Sequence, residues 1–162
     1  MKRRRGARDA AVTILSPDEV LELIPQQEPF RFVDEILEIS KDHIVASYRF
    51  RRDADFYRGH FPGNPVTPGV ILLECIAQVG VVALGIYLVA LEAGLDAVES
   101  RLALFADATV DFSGIVKPGE RVTVSATRTF WRRGKLRSEA EMHLDDGTTV
   151  CHASISGMAV RR

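Results

Sequence analysis

Residues 59–78 contain two ionisable side chains, the basic His60 and the acidic Glu74, and are otherwise without charge. Histidine titrates near neutral pH and acts as a general base with little tuning. A carboxyl group among apolar neighbours has a raised pKa and can donate a proton. Residue types and spacing therefore indicate acid–base chemistry in which His60 accepts a proton and Glu74 supplies one.

Each of these two residues also has a structural interpretation. A lone loop histidine commonly forms structural hydrogen bonds, and Glu74 between Leu73 and Cys75 would then be satisfied by a buried partner. Three glycines and three prolines fall within residues 59–69, so the backbone around His60 must be tightly bent. The occurrence of both residues within one glycine- and proline-rich loop and the helix that follows it favours the catalytic interpretation.

A long helix is predicted directly after this loop. Pro68 sets the φ angle of its first turn, and nothing interrupts the helix from Val70 to about Gly94. Residues 75–91 are nearly all apolar, but they are too few for a typical membrane span and contain Gln78. The sequence therefore predicts a helix buried on all sides within a domain, without a membrane span.

The remainder of the chain predicts one short helix and a series of strands. Ser16-Pro17-Asp18-Glu19 forms a capping box that opens a helix ending before Pro25. Alternating apolar residues between turn-forming residues predict strands over residues 30–39, 44–50, 102–112, 121–131, 136–144 and 149–160. Val122, Val124, Ala126 and Phe130 are expected on one strand face.

One apolar helix among strands joined by tight turns predicts the α+β class, with an antiparallel sheet wrapped around the helix. Residues 16–162 form a single domain in this interpretation, and residues 1–15 form a basic, mobile tail. A single curved sheet is expected to cover only part of the helix. The sequence therefore predicts at least a dimer.

Composition limits the possible functions. The net charge of -1 excludes a globally basic nucleic-acid binder. Nucleic-acid binding would have to depend on the Arg3–Arg8 tail, because nothing in the rest of the chain supports it. Cys75 and Cys151 lie in apolar stretches and form neither a disulfide framework nor a metal cluster, which indicates a reduced, cytoplasmic protein. The remaining histidines lie in strand patterns and are expected to be structural or surface residues; they are His43, His143 and His152. No metal site is predicted.

The central stretch GHFPGNPVTPGVILLECIAQ resembles the signature of the (R)-3-hydroxyacyl-[acyl carrier protein] dehydratases, which have the hotdog fold. IPQQEPFRFVDEILEI resembles the opening segment of that family, and VDFSGIVKPGERV its strand and turn after the helix. The resemblance extends from Ile24 to the carboxyl terminus. Gln26-Gln27-Glu28 departs from the His-Arg pair usual in the family, which implies a different substrate entrance.

The resemblance implies a hydro-lyase without a cofactor that acts in fatty-acid synthesis or a related polyene or polyketide pathway. His60 would remove the proton next to the thioester carbonyl. Glu74, or a water that it holds, would protonate the departing hydroxide. The backbone N–H of Gly69 would receive the charge on the thioester oxygen. Gln78, one turn after Glu74, would line the site or hydrogen-bond its neighbours.

The resemblance also implies partners. In this family, histidine and acid come from different subunits of a homodimer, and three dimers can associate. The substrate arrives on the phosphopantetheine arm of the acyl carrier protein. A basic cluster at one predicted turn would dock that acidic protein or would merely be solvated; it comprises Arg132, Arg133, Lys135 and Arg137. The alternatives are a hotdog acyl thioesterase and a non-catalytic acyl-binding module.

Overall fold

A computed structural model describes residues 12–162, in which a six-stranded antiparallel sheet surrounds one long helix. The sheet order is β1-β2-β4-β5-β6-β3, so β1 and β3 are its edges. The predicted α+β architecture is confirmed. The helices are α1 Pro17–Leu23, α2 Phe56–Gly59, α3 Gly69–Ala93 and α4 Leu95–Glu99; the strands are β1 Glu35–Ile39, β2 His43–Arg49, β3 Arg101–Phe112, β4 Arg121–Arg132, β5 Lys135–Leu144 and β6 Thr149–Arg161.

The central helix α3 packs against the concave face of the sheet along one side. Gly80 allows this close approach, because a Cβ atom there would lie 3.0 Å from Ile155 Cδ1 and 3.1 Å from Ala126 Cβ. By length and composition α3 is apolar enough to cross a membrane, but 61% of its most apolar window is buried inside the domain. The buried residues of this helix form one core cluster with the inward side chains of the strands.

The opposite side of α3 is covered by the same chain. Val20 and Ile24 from the α1 region and Phe32 from the following segment are buried in the core that contains α3. Among the apolar side chains of the helix, Val70 at its start is the exposed one, with 74% of its surface accessible. One chain thus covers more of α3 than the sequence suggested, and the helix alone does not require a second copy.

A wide π-helical turn, Gln78–Ala83, interrupts the regular geometry in the middle of α3. The carbonyl oxygen of Gly80 accepts a hydrogen bond of 2.8 Å from the Ser138 hydroxyl of β5, and both residues are buried. The turn begins at Gln78, so it follows directly after the helical segment that carries Glu74. Wide turns of this kind occur frequently at functional sites.

The strand predicted over residues 30–39 is wrong in its first half, because β1 begins only at Glu35. Side chains of α3 bind the backbone of that half instead. The Phe32 N–H donates to Gln78 Oε1 at 2.8 Å, and the Phe32 carbonyl accepts from Cys75 Sγ at 3.3 Å. These groups therefore do not form a strand ladder.

Phe130 is also placed differently from the prediction. Val122, Val124 and Ala126 are buried as expected, whereas Phe130 is 45% exposed. The pairing of β4 with β5 shifts register between Arg128 and Phe130. A β-bulge reverses the alternation of side chains beyond it, which turns Phe130 outward.

Contacts with the core begin before the capping box at Ser16. The capping box is confirmed, with the Ser16 hydroxyl accepting from the Glu19 N–H and the Glu19 carboxylate accepting from the Ser16 N–H. Leu15 is buried, and the Thr13 N–H donates to the Ala90 carbonyl. Residues 1–11, with the basic Arg3–Arg8 stretch, lie outside the described residues.

Candidate active site

The loop that carries His60 is closed by backbone hydrogen bonds, one of which joins His60 to Val66. The Val66 N–H donates to the His60 carbonyl at 2.9 Å, and Phe61 and Asn64 exchange backbone hydrogen bonds inside the loop. Gly63 has a φ of 74°, in the left-handed region that favours glycine. The glycine- and proline-rich sequence therefore builds a compact turn with His60 at its base.

The imidazole of His60 is oriented by the same partner. Its Nδ1 lies 2.9 Å from the carbonyl oxygen of Val66, which can only accept, so Nδ1 carries the hydrogen. The neutral ring then has its lone pair on Nε2. Phe61 stacks on the imidazole with ring centroids 4.0 Å apart. His60 is thus held in the tautomer that a general base requires, with Nε2 as the basic atom.

The remainder of the loop is anchored in the core. The Tyr57 hydroxyl and Thr67 Oγ1 lie 2.6 Å apart, and both side chains are buried. The Thr67 N–H donates to the Val116 carbonyl at 2.9 Å. Burial raises the pKa of Tyr57, so this hydroxyl stays protonated at neutral pH. The loop therefore enters α3 from a fixed position.

Glu74 is half-buried on the second turn of α3 and accepts a hydrogen bond from Gln78. Gln78 Nε2 donates to Glu74 Oε1 at 2.9 Å. The spacing of four residues places both side chains on one face of the helix, as the sequence suggested. This contact is of the kind predicted for Gln78, a hydrogen bond to a neighbouring side chain.

The side-chain amide of Gln78 is itself fully engaged and wholly buried. Its Nε2 also donates to the Phe30 carbonyl at 2.8 Å, and its Oε1 accepts from the Phe32 N–H at 2.8 Å. These two backbone groups define which end of the amide is oxygen and which is nitrogen. The second N–H must then point at Glu74. Sequence reasoning missed this role of residues 30–32, because nothing in the sequence marks their backbone as a partner of Gln78.

Gly69 forms the first residue of α3, where a backbone N–H has no acceptor within the helix. Phe112, at the end of β3, lies over this position: a Cβ atom on Gly69 would be 3.1 Å from the Phe112 ring. A side chain here would force the ring to move. Glycine therefore leaves room between the helix start and the edge strand of the sheet.

His60 and Glu74 have separate hydrogen-bond partners within one chain, Val66 and Gln78 respectively. The predicted site residues are a histidine whose Nδ1 is hydrogen-bonded, a carboxyl group that accepts from Gln78, and the helix N-terminus at Gly69. A helix N-terminus carries partial positive charge and stabilises an oxyanion. These groups suit removal and donation of protons beside a carbonyl.

The basic cluster predicted for docking separates into two parts. Arg133 and Gly134 both have positive φ and form the two-residue turn between β4 and β5, next to the exposed side chains of Arg132 and Lys135. Arg137 lies further along β5 and forms a salt bridge with Asp107, in which Nη2 donates to Oδ1 at 2.8 Å and to Oδ2 at 3.0 Å. Within residues 12–162, no salt bridge engages the other three basic residues.

The remaining histidines and the cysteines do not belong to this site. His43, His143 and His152 each contact a glutamate near the sheet surface, as expected of structural residues. Burial raises the pKa of Cys75, and burial raises that of Cys151 to about 11. In the part of the chain that the structure describes, no group of three or more His, Cys, Asp or Glu side chains is arranged to hold a metal ion.

Comparisons with known proteins identify the family of the chain. The FabA-like domain family matches residues 24–154, and the chain belongs to that family. It is 35% identical over 147 residues to a 3-hydroxyacyl-[acyl-carrier-protein] dehydratase FabZ of Bacillus velezensis, covering 88% of this chain and 96% of that relative.

Two solved structures share the fold at low identity. A thioesterase from Haemophilus influenzae has a TM-score of 0.65 at 16% identity and covers 94% of this chain and 95% of its own. A dehydratase heterocomplex from Xenorhabdus doucetiae has a TM-score of 0.65 at 15% identity, with coverage of 91% and 93%. The hotdog fold predicted from the sequence is thus confirmed.

Proposed function

We propose that this chain is a cytoplasmic hydro-lyase that removes water from (R)-3-hydroxyacyl-[acyl carrier protein] and yields the trans-2-enoyl product, in fatty-acid or related synthesis. The observation that carries the proposal is the orientation of His60 by Val66, which leaves Nε2 free as a base. The dehydratase name of the Bacillus velezensis relative, which this chain matches over nearly its whole length, supports the same reaction.

In the proposed mechanism, His60 Nε2 removes the proton from the carbon next to the thioester carbonyl. The electron pair moves toward the carbonyl oxygen, where the Gly69 N–H stabilises the developing charge. The C–O bond to the hydroxyl group then breaks, and Glu74 protonates the leaving group directly or through a water. Hydroxide leaves as water, and the double bond forms between carbons 2 and 3. Gln78 does not touch the substrate; it holds the carboxyl group of Glu74 in place.

A homodimer with shared sites forms part of this proposal, and the edge strand β3 supports it. Leu104 and Phe105 on this strand are 52% and 49% exposed, and β3 pairs with a neighbour on one side only. A long apolar edge strand is an aggregation hazard unless another chain covers it. Since Phe112 of the same strand lies over Gly69, a copy that pairs there would bring its residues to the start of α3.

Mixing two inactive variants tests the shared site. His60→Ala and Glu74→Gln would each be inactive alone, because glutamine keeps the shape of the carboxyl group without its proton. A mixed dimer would contain one site with both defects and one intact site. Co-refolding equal amounts should restore up to about a quarter of the activity, since half of the dimers are mixed. Activity that stays at background, despite exchange confirmed by native mass spectrometry, would refute sharing.

A direct assay tests the reaction itself against the thioesterase alternative. The protein is incubated with 3-hydroxyacyl-[acyl carrier protein], and mass spectrometry follows loss of water from the acyl group while a thiol reagent follows release of the carrier. The proposal expects dehydration without thiol release. Thiol release without dehydration indicates a thioesterase, and binding with neither indicates an acyl-binding module.

Docking of the carrier protein at the β4–β5 turn is also proposed. Three exposed cations that form no salt bridge within the described residues, Arg132, Arg133 and Lys135, present positive charge to an acidic protein. Arg137 contributes less in this proposal, because Asp107 neutralises it. The Ser156 hydroxyl and the Arg137 guanidinium lower the pKa of Asp107, which keeps this carboxylate charged at neutral pH.

A further inference from the structure

Tyr57 and Thr67 form a buried hydrogen bond at the base of the loop that carries His60. Their hydroxyl oxygens lie 2.6 Å apart, and the two residues are only 6% and 3% exposed. Tyr57 belongs to α2, on the amino-terminal side of His60, and Thr67 lies just before the start of α3. The bond therefore joins the two ends of the loop. Neither hydroxyl takes part in the proton transfers of the proposed mechanism.

The carbonyl group that orients the His60 ring belongs to the peptide unit between Val66 and Thr67. The oxygen of this unit lies 2.9 Å from His60 Nδ1, and its N–H, on Thr67, donates to the Val116 carbonyl at 2.9 Å. A peptide unit is planar, so the direction of its N–H also fixes the direction of its carbonyl group. Contacts made by Thr67 therefore set the orientation of the group that binds the imidazole.

The backbone of His60 is held from the other end of the loop. Its N–H donates to the Phe56 carbonyl at 2.9 Å, and Phe56 precedes Tyr57 in α2. The ring of His60 is thus attached to α2 through its own backbone, whereas the acceptor of its Nδ1 hydrogen is attached to Thr67. The Tyr57–Thr67 bond joins these two parts, in addition to the backbone bond from Val66 to His60.

Stability alone gives little reason for a polar pair at these two positions. Phenylalanine and valine have nearly the shapes of tyrosine and threonine, and replacement of both partners of a buried hydrogen bond by apolar groups of the same shape can be nearly neutral. A hydrogen bond differs from apolar packing because it has a direction and a defined length. The pair therefore adds a geometric constraint on the loop that apolar side chains would not supply.

We propose that Tyr57 and Thr67 are positioning residues for His60. Their hydrogen bond fixes the Val66–Thr67 peptide unit, which keeps the hydrogen of the imidazole on Nδ1 and the lone pair on Nε2. The consequence for turnover rests on the proposed dehydratase function, in which Nε2 is the base. The consequence for the tautomer is a property of the protein itself and is measured without substrate.

The kinetic test uses the double variant Tyr57→Phe/Thr67→Val, which removes both hydroxyl groups and leaves no unpaired partner. With a carrier-bound 3-hydroxyacyl substrate, kcat should fall about tenfold while KM stays within about twofold, because the base is misplaced and binding is not. The melting temperature should change little. Thr67→Ser keeps the hydroxyl group and should keep kcat within about threefold of wild type.

Nitrogen NMR of protein with isotope-labelled histidine measures the tautomer directly, at about pH 9, where an ordinary histidine is neutral. In wild-type protein, we expect the His60 signals of a protonated Nδ1 and an unprotonated Nε2, identified by their loss in His60→Ala. In the double variant both signals should move toward the average of the two tautomers. Ser138→Ala, which removes a buried hydroxyl group bonded to α3, is the matched control and should leave them unchanged.

Each outcome decides the inference. Unchanged His60 signals in the double variant would overturn it, and a loss of turnover that only follows a lower melting temperature would then assign the pair a structural role. Tyr57→Phe alone, which removes one oxygen atom, provides the same comparison if the double variant does not fold. If wild-type protein dehydrates no substrate, the proposed function fails, while the NMR signals still decide whether Tyr57 and Thr67 position His60.

Discussion

The two halves of α3 differ in how their side chains are held. In the first half, Glu74 and Gln78 belong to a chain of hydrogen bonds that ends on the backbone of residues 30–32. The second half, Leu84–Ala93, packs mainly through apolar side chains in the core, and Trp131 Nε1 donates to Glu92 Oε1 at 2.6 Å near its end. Directional bonds therefore dominate the first half, and apolar packing dominates the second.

This difference matches two different requirements. Proton transfer depends on atoms placed within a fraction of an ångström, which hydrogen bonds to a rigid backbone achieve. Burial of apolar side chains depends on shape and volume, because the hydrophobic effect has no direction. Substitutions in the first half should therefore change turnover, whereas substitutions in the second half should mainly change stability.

The largest effect is expected at His60. His60→Ala should lower the kcat/KM ratio at least about 100-fold, or about 3 kcal/mol, because the base is lost. The melting temperature should change little, since the side chain contacts only Val66 and Phe61 among the interactions described for it. Steady-state kinetics and circular dichroism check both. His152→Ala, which removes a surface histidine, is the control; near-normal turnover of the folded His60 variant would eliminate His60 as the base.

Gln78 should show the next largest effect. Gln78→Leu leaves the Phe30 carbonyl and the Phe32 N–H unpaired, which should lower the free energy of unfolding by about 1–3 kcal/mol for each group. Glu74 also loses its donor, so kcat should fall about tenfold or more while KM for the substrate stays nearly constant. Chemical denaturation and steady-state kinetics measure the two effects.

Ser138→Ala is the matched control for Gln78. Ser138 is equally buried and also donates a hydrogen bond to α3, through the Gly80 carbonyl. Its loss should lower stability by about 1 kcal/mol without lowering kcat. Equal losses of kcat in both variants would show that Gln78 acts through stability alone and not by positioning Glu74.

A smaller effect is expected at the β4–β5 turn, outside α3. Alanine at Arg132, Arg133 and Lys135 together should slow association with the carrier protein about tenfold at low salt and much less at high salt. Stopped-flow binding measures this rate. Arg137→Ala should change it less, because Asp107 already pairs with that charge. Equal rates for the triple variant and wild type would show that the turn is simply solvated.

The smallest effect concerns the cysteines. Their raised pKa values keep both thiols protonated at neutral pH, and only the thiolate reacts with iodoacetamide. Native protein at pH 8 should therefore resist alkylation and keep its activity, whereas unfolded protein should take up two labels. Labelling of Cys151 should accelerate as pH rises toward about 11. Rapid inactivation at pH 8 would contradict this and would place a reactive thiol near the site.

Local features were readable from the sequence where a single residue type imposes the geometry. The Ser16 capping box, the bent loop around His60 and the start of α3 after Pro68 were predicted correctly for this reason. The family, its fold and its dehydratase class followed from the same loop and helix. Strand boundaries at residues 30–34 and the outward Phe130 were wrong, because α3 side chains and a β-bulge override local alternation.

Sequence alone predicted which residues carry the chemistry, since His60 and Glu74 are the ionisable side chains of a stretch whose backbone form is dictated by proline and glycine. Tertiary structure alone decided how those residues are oriented. Val66 selects the tautomer of His60, and Phe30 and Phe32 orient the amide that holds Glu74. The close approach of the sheet at Gly80 likewise exists only after the sheet has packed against α3. Backbone acceptors and packing distances carry no sequence signal, because any residue supplies a carbonyl and packing depends on distant neighbours.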